Sequence, residues 1–495
     1  MSSTASPGSV MLYAGELSAR LDGWGLRDVR LGNVVLAERI YLAVRDEHWN
    51  TVAPVARHVE ISGDAQRFEA RLIGSHRAPG IGFEWEWSAG GTAGGELRFS
   101  LEGHFTEASR TAKVGLNLHH DLTQSRGRPY RRRSPLESSS GVLPTSVSAG
   151  IMLRELFAPY DELDVEHANG LLEYRFTGDL FAMQDHRNWT DANFKSYGTP
   201  LSVPYPVDSL PGDRVAQSIV ISFKPAASAV DAVAADAASP EVPGGARLPI
   251  IRVGHTGLIG RTFAELNTDR EPLATGEPIR FPMAPSFHAP DDETLMRNAR
   301  LQCEVVTTAR EVFGERDVVV SPITLIPRGG PYSAGVPGPG VDGDADARQD
   351  SVFAAAWTVA SVASLTAGGA SVATYFETDG PRGVRDGDAL FPVFHVLRFL
   401  QGGGHPVFAL RCALDDAFVV LGFETDKQRR MLVANLTSVR ALATVDLGVA
   451  ARVVHMQGST PEADIDEDFA VRDGETLSAT VELAPYGVAF VRAAL

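Results

Sequence analysis

The sequence predicts a multidomain protein of β plus α/β class. It comprises an N-terminal antiparallel β-sandwich, an incomplete TIM-barrel-like βα domain and a small C-terminal β-sandwich. The first observation behind this is length, since 495 residues exceed what one core usually organises. The second is composition: 44% hydrophobic residues suffice for full-sized cores and exclude a disordered chain. The third is a change of patterning, from period-two alternation to continuous apolar runs and back.

Residues 10–224 carry the first pattern. Runs such as "ELSARLDG", "GFEWEWSAGG", "GELRFSLEG" and "AKVGLNLHH" alternate apolar and polar residues and are broken by Gly, Asp and Asn. Period two with turn signals every 8 to 12 residues predicts a β-sandwich. Residues 225–248 are rich in Ala, Pro and Gly and predict a linker. From residue 249 to 404 the runs "PIIRVG", "IRFPMAP", "DVVVSPITL" and "ASVATYFE" predict strands buried on both faces, as in a parallel sheet. Helical patterns intervene. Leu295, Ala299, Cys303, Val306, Ala309 and Phe313 fall on one face of a helix over 291–314, capped by Asp291 or Asp292 and stopped at Gly314. Four strands and three helices are about half of an eight-fold barrel, which takes roughly 200–250 residues. Alternation returns over 405–495, in "AFVVLGF", "RRMLVANLT" and "SATVELAPYGVAFVRA", and predicts the second sandwich.

The formal net charge of −17 disfavours nucleic acid or an anionic membrane as partner. The basic run "SRGRPYRRRSP" reads as a solvated loop. No stretch reaches the roughly 20 apolar residues of a membrane span, and the first residues lack a secretory pattern. Cys303 and Cys412 form neither a disulfide framework nor a zinc spacing, so a cytoplasmic setting fits.

In a βα barrel the working groups stand at the C-terminal ends of strands. That rule selects Glu377 after "SVATYF", Glu265 after "PIIRVGH", and His288 after "IRFPMAP". It also brings up His255, Asn267, Asp292 and Arg328, with Asp291 read as a helix cap. The alternative for Glu377 is a loop ion pair with Arg382, and for His288 a packed imidazole. No G-x-S-x-G, H-E-x-x-H or glycine-rich phosphate loop is present, so no cofactor and no metal are expected. His119 and His120 are consecutive on a predicted strand and point to opposite faces. One further stretch, "FAMQDHRNWTDANFKSYGTPL" (Phe181–Leu201), is densely polar. Asn188, Thr190 and Asp191 suit turn caps. Asp185, Arg187, Asn188, Trp189, Lys195 and Tyr197 suit a sugar site, where aromatic faces join convergent polar groups.

These residues carry a resemblance. "MQDHRNWTDANFKSYGTPL", "RIYLAVRDEHWNT", "FAELN", "PSFHAPDD", "VVVSPITL", "ATYFETDGPRGV" and "LAPYGVAFVR" resemble, in order, segments of the bacterial D-apionate lactonase family. His186 stands where that family has Gln. The resemblance implies hydrolysis of D-apionolactone to D-apionate in D-apiose catabolism. It implies a complete barrel as well, whose first strands would fall where this chain has the linker. Either a homo-oligomer supplies the remaining strands or the sheet stays open. Lactone opening needs a base for water, a proton donor and oxyanion donors. Glu377 is assigned as base and Glu265 as donor, with Arg187 and Lys195 at the oxyanion. Two alternatives stay open. One is a retaining glycoside hydrolase using Glu265 and Glu377. The other is a catalytically silent sugar-acid binding protein.

Overall fold

The computed structural model describes residues 9–23, 25–149, 155–226, 245–254, 261–286, 288–289, 291–326, 341–342, 345–401, 403–407, 417–445, 450–458, 466, 468–472, 474–477 and 480–495. Most of the predicted linker (227–244), His255, Arg328 and Cys412 lie outside the described residues. The chain divides into two compact units. The first comprises Met1–Ser148, Leu153–His186 and Asn193–Ala235. The second comprises Ala149–Met152, Arg187–Ala192 and Asp236–Leu495. The polar stretch singled out above is therefore shared between units, with Arg187–Ala192 built into the second.

The first unit holds β1 (Val10–Ala14), β2 (Leu17–Asp22), β3 (Gly25–Leu31), β4 (Val34–Asp46), β5 (Pro54–Gly63), β6 (Arg67–Ala78), β7 (Ile81–Thr92), β8 (Leu97–Phe105) and β9 (Ser109–Asp121). It continues with the short α1 (Leu122–Ser125), β10 (Pro129–Arg133), β11 (Ser138–Val142), β12 (Glu162–His167), β13 (Gly170–Thr177), β14 (Ala182–Asp185), β15 (Asn193–Tyr197), β16 (Val207–Ser209) and β17 (Arg214–Pro225). One sheet runs β1-β2-β3-β4-β9-β15-β14, with β16 on β9, and the other runs β11-β10-β12-β13-β17-β8-β7-β6-β5. Alternation sets the core. Phe83, Trp85, Trp87 and Ala89 of β7 are buried at every second position, as are Leu97, Phe99 and Leu101 of β8. Tyr174 of β13 donates its hydroxyl to the Leu36 carbonyl of β4 at 3.1 Å, tying one sheet to the other. The basic run expected as a solvated loop is instead centred on strand β10. Its arginines face acids across the ladder, Arg131 opposite Asp164 and Arg133 opposite Glu162 of β12, and each forms an ion pair there.

Two of the buried histidines of this unit are His76 and His120. Trp85 donates its indole N–H to His76 Nδ1 at 2.9 Å, and His120 Nε2 lies 2.6 Å from Ser196 Oγ. Burial holds both rings down at about 3. In the unfolded chain each takes up a proton near pH 6.5. Between these limits the unfolded chain binds more protons than the folded one, so stability is full above pH 6.5 and falls on acidification. Each ring contributes at most about 1.4 kcal/mol per pH unit. The unfolding free energy from urea titration is expected to drop by about 2 kcal/mol between pH 7 and pH 5.5. A value constant over that range would show that the rings charge without unfolding.

The second unit begins with β18 (Ile250–Val253), α2 (Phe263–Asp269), β19 (Ile279–Met283), α3 (Asp292–Arg300), α4 (Gln302–Phe313) and β20 (Val318–Ile323). Then come the small ribbon β21 (Val341–Asp342) with β22 (Ala345–Asp346), α5 (Val352–Gly368), β23 (Val372–Tyr375), the ribbon β24 (Arg385–Asp386) with β25 (Ala389–Leu390), and α6 (Pro392–Phe399). Strands β18-β23-β20-β19 form one parallel sheet, and no closed barrel is seen among the described residues. Every residue of β20 is buried, which explains its unbroken apolar run.

The strand order corrects one expectation. In a closed barrel the first strand neighbours the last. Here β18 pairs with β23 and β19 is the far edge, so the interruption falls between β18 and β19 rather than in the linker. The single helix predicted over 291–314 is also two. Ser364 Oγ accepts from Cys303 N at 2.8 Å and donates to the Arg300 carbonyl at 2.9 Å. A side chain inserted in the ladder breaks a helix. Asp291 caps α3 by accepting from Thr294 N, and Gly314 ends α4 at φ +83°.

The same unit ends with β26 (Phe418–Glu424), β27 (Gln428–Asn435), β28 (Ala441–Thr444), β29 (Arg452–Met456), β30 (Glu475–Thr476), β31 (Thr480–Leu483) and β32 (Val488–Ala494). The sheet β26-β27-β32-β29-β30 and the pair β28-β31 share a core that includes Phe418, Met431, Val433, Val481, Leu483 and Val491. The run "SATVELAPYGVAFVRA" contributes β31 and β32, between which the chain turns at Tyr486, φ +56°.

Candidate active site

Each unit carries a cluster of polar side chains. In the second unit the cluster lies at the C-terminal edge of the parallel sheet, where Met283, Ile323 and Tyr375 stand in register across β19, β20 and β23. Beyond Tyr375, Phe376 is buried and left-handed at φ +56°. A bulky residue there costs on the order of 1–3 kcal/mol, strain that persists only where the surroundings fix it. Glu377 follows. Its N–H donates to the Arg382 carbonyl at 3.2 Å, and its own carbonyl accepts from Val384 N at 3.1 Å. Arg382 Nε donates to Glu377 Oε1, also at 3.2 Å. The carboxylate is thus held by a closed turn and paired with a cation.

Beyond β19 stands His288. Its Nδ1 lies 2.5 Å from Asp191 Oδ2, while Asp191 Oδ1 accepts from Asn298 Nδ2 at 3.1 Å. Trp189 meets the imidazole edge-on, with ring centres 6.2 Å apart. Asn298 belongs to α3 and also donates to the Pro285 carbonyl at 2.8 Å. A carboxylate at Nδ1 fixes the ring's orientation and pairs with its protonated form. Asp191, whose sequence suits a turn cap, is instead the partner of this imidazole. The two residues are far apart in the chain, so no local pattern signals the pairing.

The other predicted residues take different places. Glu265 is the third residue of α2 and closes a capping box: its Oε2 accepts from Thr262 N at 2.6 Å and from Thr262 Oγ1 at 2.8 Å. Asn188 Oδ1 accepts from Asn267 of the same helix at 2.9 Å. Arg187 is 1% exposed and pairs with Glu304 of α4 at 3.0 Å. Thr190 donates to the Ala284 carbonyl, and Ala192 N donates to Asn298 Oδ1 at 2.9 Å. Residues 187–192 are therefore stitched into the second unit by side chains, which accounts for their polarity.

Asp185, Lys195 and Tyr197 belong to the first unit. Asp185 accepts from Ser148 N at 2.9 Å. Lys195 and Tyr197 lie on the face of the eight-stranded sheet opposite to His120, in register with His119 and Asn117 of β9. Lys113, missed in the sequence reading, joins them: its Nζ lies 3.5 Å from the Tyr197 ring centre and donates to Asn117 Oδ1 at 3.1 Å. A signal was present, since Lys113, Asn117 and His119 occupy alternate positions of one strand and so share a face. Among the described residues, no helix is long and apolar enough to cross a membrane.

Residues 1–226 match the N-terminal domain of D-apionate lactonase, and residues 245–404 match its TIM barrel domain. The chain belongs to the D-apionate lactonase family. A D-apionate lactonase from Brucella anthropi is 26% identical over 220 residues. That alignment takes in 43% of this chain and 35% of the relative, so the chain spans well under two thirds of the relative's length. Among solved structures, a putative aldose 1-epimerase from Escherichia coli K12 covers 44% of this chain and 99% of its own, at 9% identity and a TM-score of 0.30. A galactose 1-epimerase from Lactobacillus acidophilus covers 44% and 94%, at 7% identity and the same TM-score.

Proposed function

We propose that this member of the D-apionate lactonase family hydrolyses a sugar-acid lactone, D-apionolactone in the specific case, to the open hydroxy acid. The observation that carries the reading is the pair of groups on one edge of the parallel sheet: Glu377 on its turn, and His288 with Asp191. Strands β19 and β23 flank β20, and two strand spacings amount to roughly 10 Å. The strands that lead to these groups are thus spaced on the scale of one five-membered ring.

In this mechanism Glu377 takes a proton from water as the oxygen attacks the lactone carbonyl carbon. The tetrahedral oxyanion is stabilised by the Arg382 guanidinium beside Glu377. The ring C–O bond then breaks, and the departing alkoxide takes the proton of the His288 imidazolium. Asp191 holds that ring in place throughout. The donor role passes from Glu265 to His288 because the Glu265 carboxylate already accepts two hydrogen bonds at the start of α2. That commitment also weighs against a retaining glycosidase built on Glu265 and Glu377.

The test is acid release from D-apionolactone by the full chain, followed in a pH-stat beside an aryl glycoside. Lactone turnover without glycoside cleavage is the expected result, and the reverse pattern would overturn the reading. In the same assay Asp191→Asn is expected to lower kcat/KM about 10- to 100-fold, as losing an orienting partner usually does.

A further inference from the structure

The polar face of the eight-stranded sheet has a composition that sheet packing does not call for. Register aligns Arg45 of β4 with Lys113 of β9, Arg39 with His119, and Lys195 of β15 with the same His119. All of these are buried, as are Asn117 and Tyr197. Buried cations are costly unless something negative meets them, as Asp22 Oδ2 meets Arg39 at 4.0 Å. Lys113 shows the cost. Burial first, then the charges of Lys195 and Arg45, push its ammonium well below the ordinary lysine range, against the opposing pull of Asp179. Asp179 and Glu155, the acids that bear on Lys113 and Tyr197, are themselves pushed up by burial, which weakens them as counter-charges. The Tyr197 hydroxyl is buried without a hydrogen-bond partner among the described residues. A chain of net charge −17 thus gathers cations on one sheet face, around the ring and buried hydroxyl of Tyr197.

We propose that Lys113, Lys195, Tyr197 and Asn117 form a binding site for the carboxylate of a small polyhydroxy acid. The cations take the carboxylate, while the Tyr197 hydroxyl and the Asn117 amide suit hydroxyls. The choice of a hydroxy acid rests on the lactonase reading; the anion site itself rests on the sheet face. An incoming carboxylate adds negative charge beside Lys113 and Lys195, where Arg45, Asp179 and the Tyr197 ring also bear on Lys113.

The experiment is calorimetric titration of the full chain with sodium D-gluconate at pH 7, with sorbitol as the neutral control. Expected are gluconate binding, no sorbitol binding, at least tenfold weaker binding in Lys113→Met, and severalfold weaker binding in Tyr197→Phe. Absence of gluconate binding, equal binding of sorbitol, or unchanged affinity in folded Lys113→Met would overturn the proposal. If Lys113→Met does not fold, unchanged affinity in Tyr197→Phe overturns it instead. Gluconate binding by a chain that opens no lactone would leave this site standing and remove the hydrolase reading, so the two failures are distinguishable.

Discussion

Glu377→Gln is expected to lower kcat for lactone opening by about 10²–10⁴-fold, the range over which a positioned general base acts. The amide keeps the size of the carboxylate and can still accept from Arg382, so the turn that carries it survives. What disappears is the ability to take a proton from water. KM is expected to change little, because the loss is felt where charge develops rather than on binding. Steady-state kinetics beside a thermal melt separate this from a folding defect. A variant within threefold of the parent would remove Glu377 from the chemistry and leave it as an ion pair of the loop.

The largest effect on stability is expected at Arg187. Its guanidinium is buried against Glu304, and removing one partner of a buried ion pair typically costs about 3–5 kcal/mol, because the other charge is stranded. Arg187→Met should therefore lower the denaturation midpoint of the full chain by roughly 10 °C. Pairing it with Glu304→Met should recover part of that loss, since the stranded charge goes too. Activity per folded molecule should fall far less than stability. A variant with normal stability but no turnover would instead return Arg187 to the oxyanion role assigned from the sequence.

Parts of this structure were legible in the sequence for identifiable reasons. The strands of the first unit announce themselves because one face is apolar and one polar, as in β7 and β8, where most inward positions are aromatic or aliphatic. The cap at Asp291 follows from a local pattern. The box at Thr262 and Glu265 has the spacing of such boxes but was missed, because strand-end reasoning drew that glutamate toward catalysis. Contacts between distant residues stayed hidden. Ser364 interrupts a helix some sixty positions earlier, and Asp191 reaches His288 across a still longer stretch. No window of sequence contains both partners, so periodicity is silent about them.

The pairing of β18 with β23 has a kinetic side. Ile250 meets Val372 only after the intervening helices and strands have been brought together, and closing so long a loop carries an entropic cost before any ladder bond forms. The strand is also short and lies at the border of its sheet, with Ile250 and Val253 substantially exposed. It should be among the last pieces to anneal and the first to peel away, which makes the entry to this unit its loosest seam.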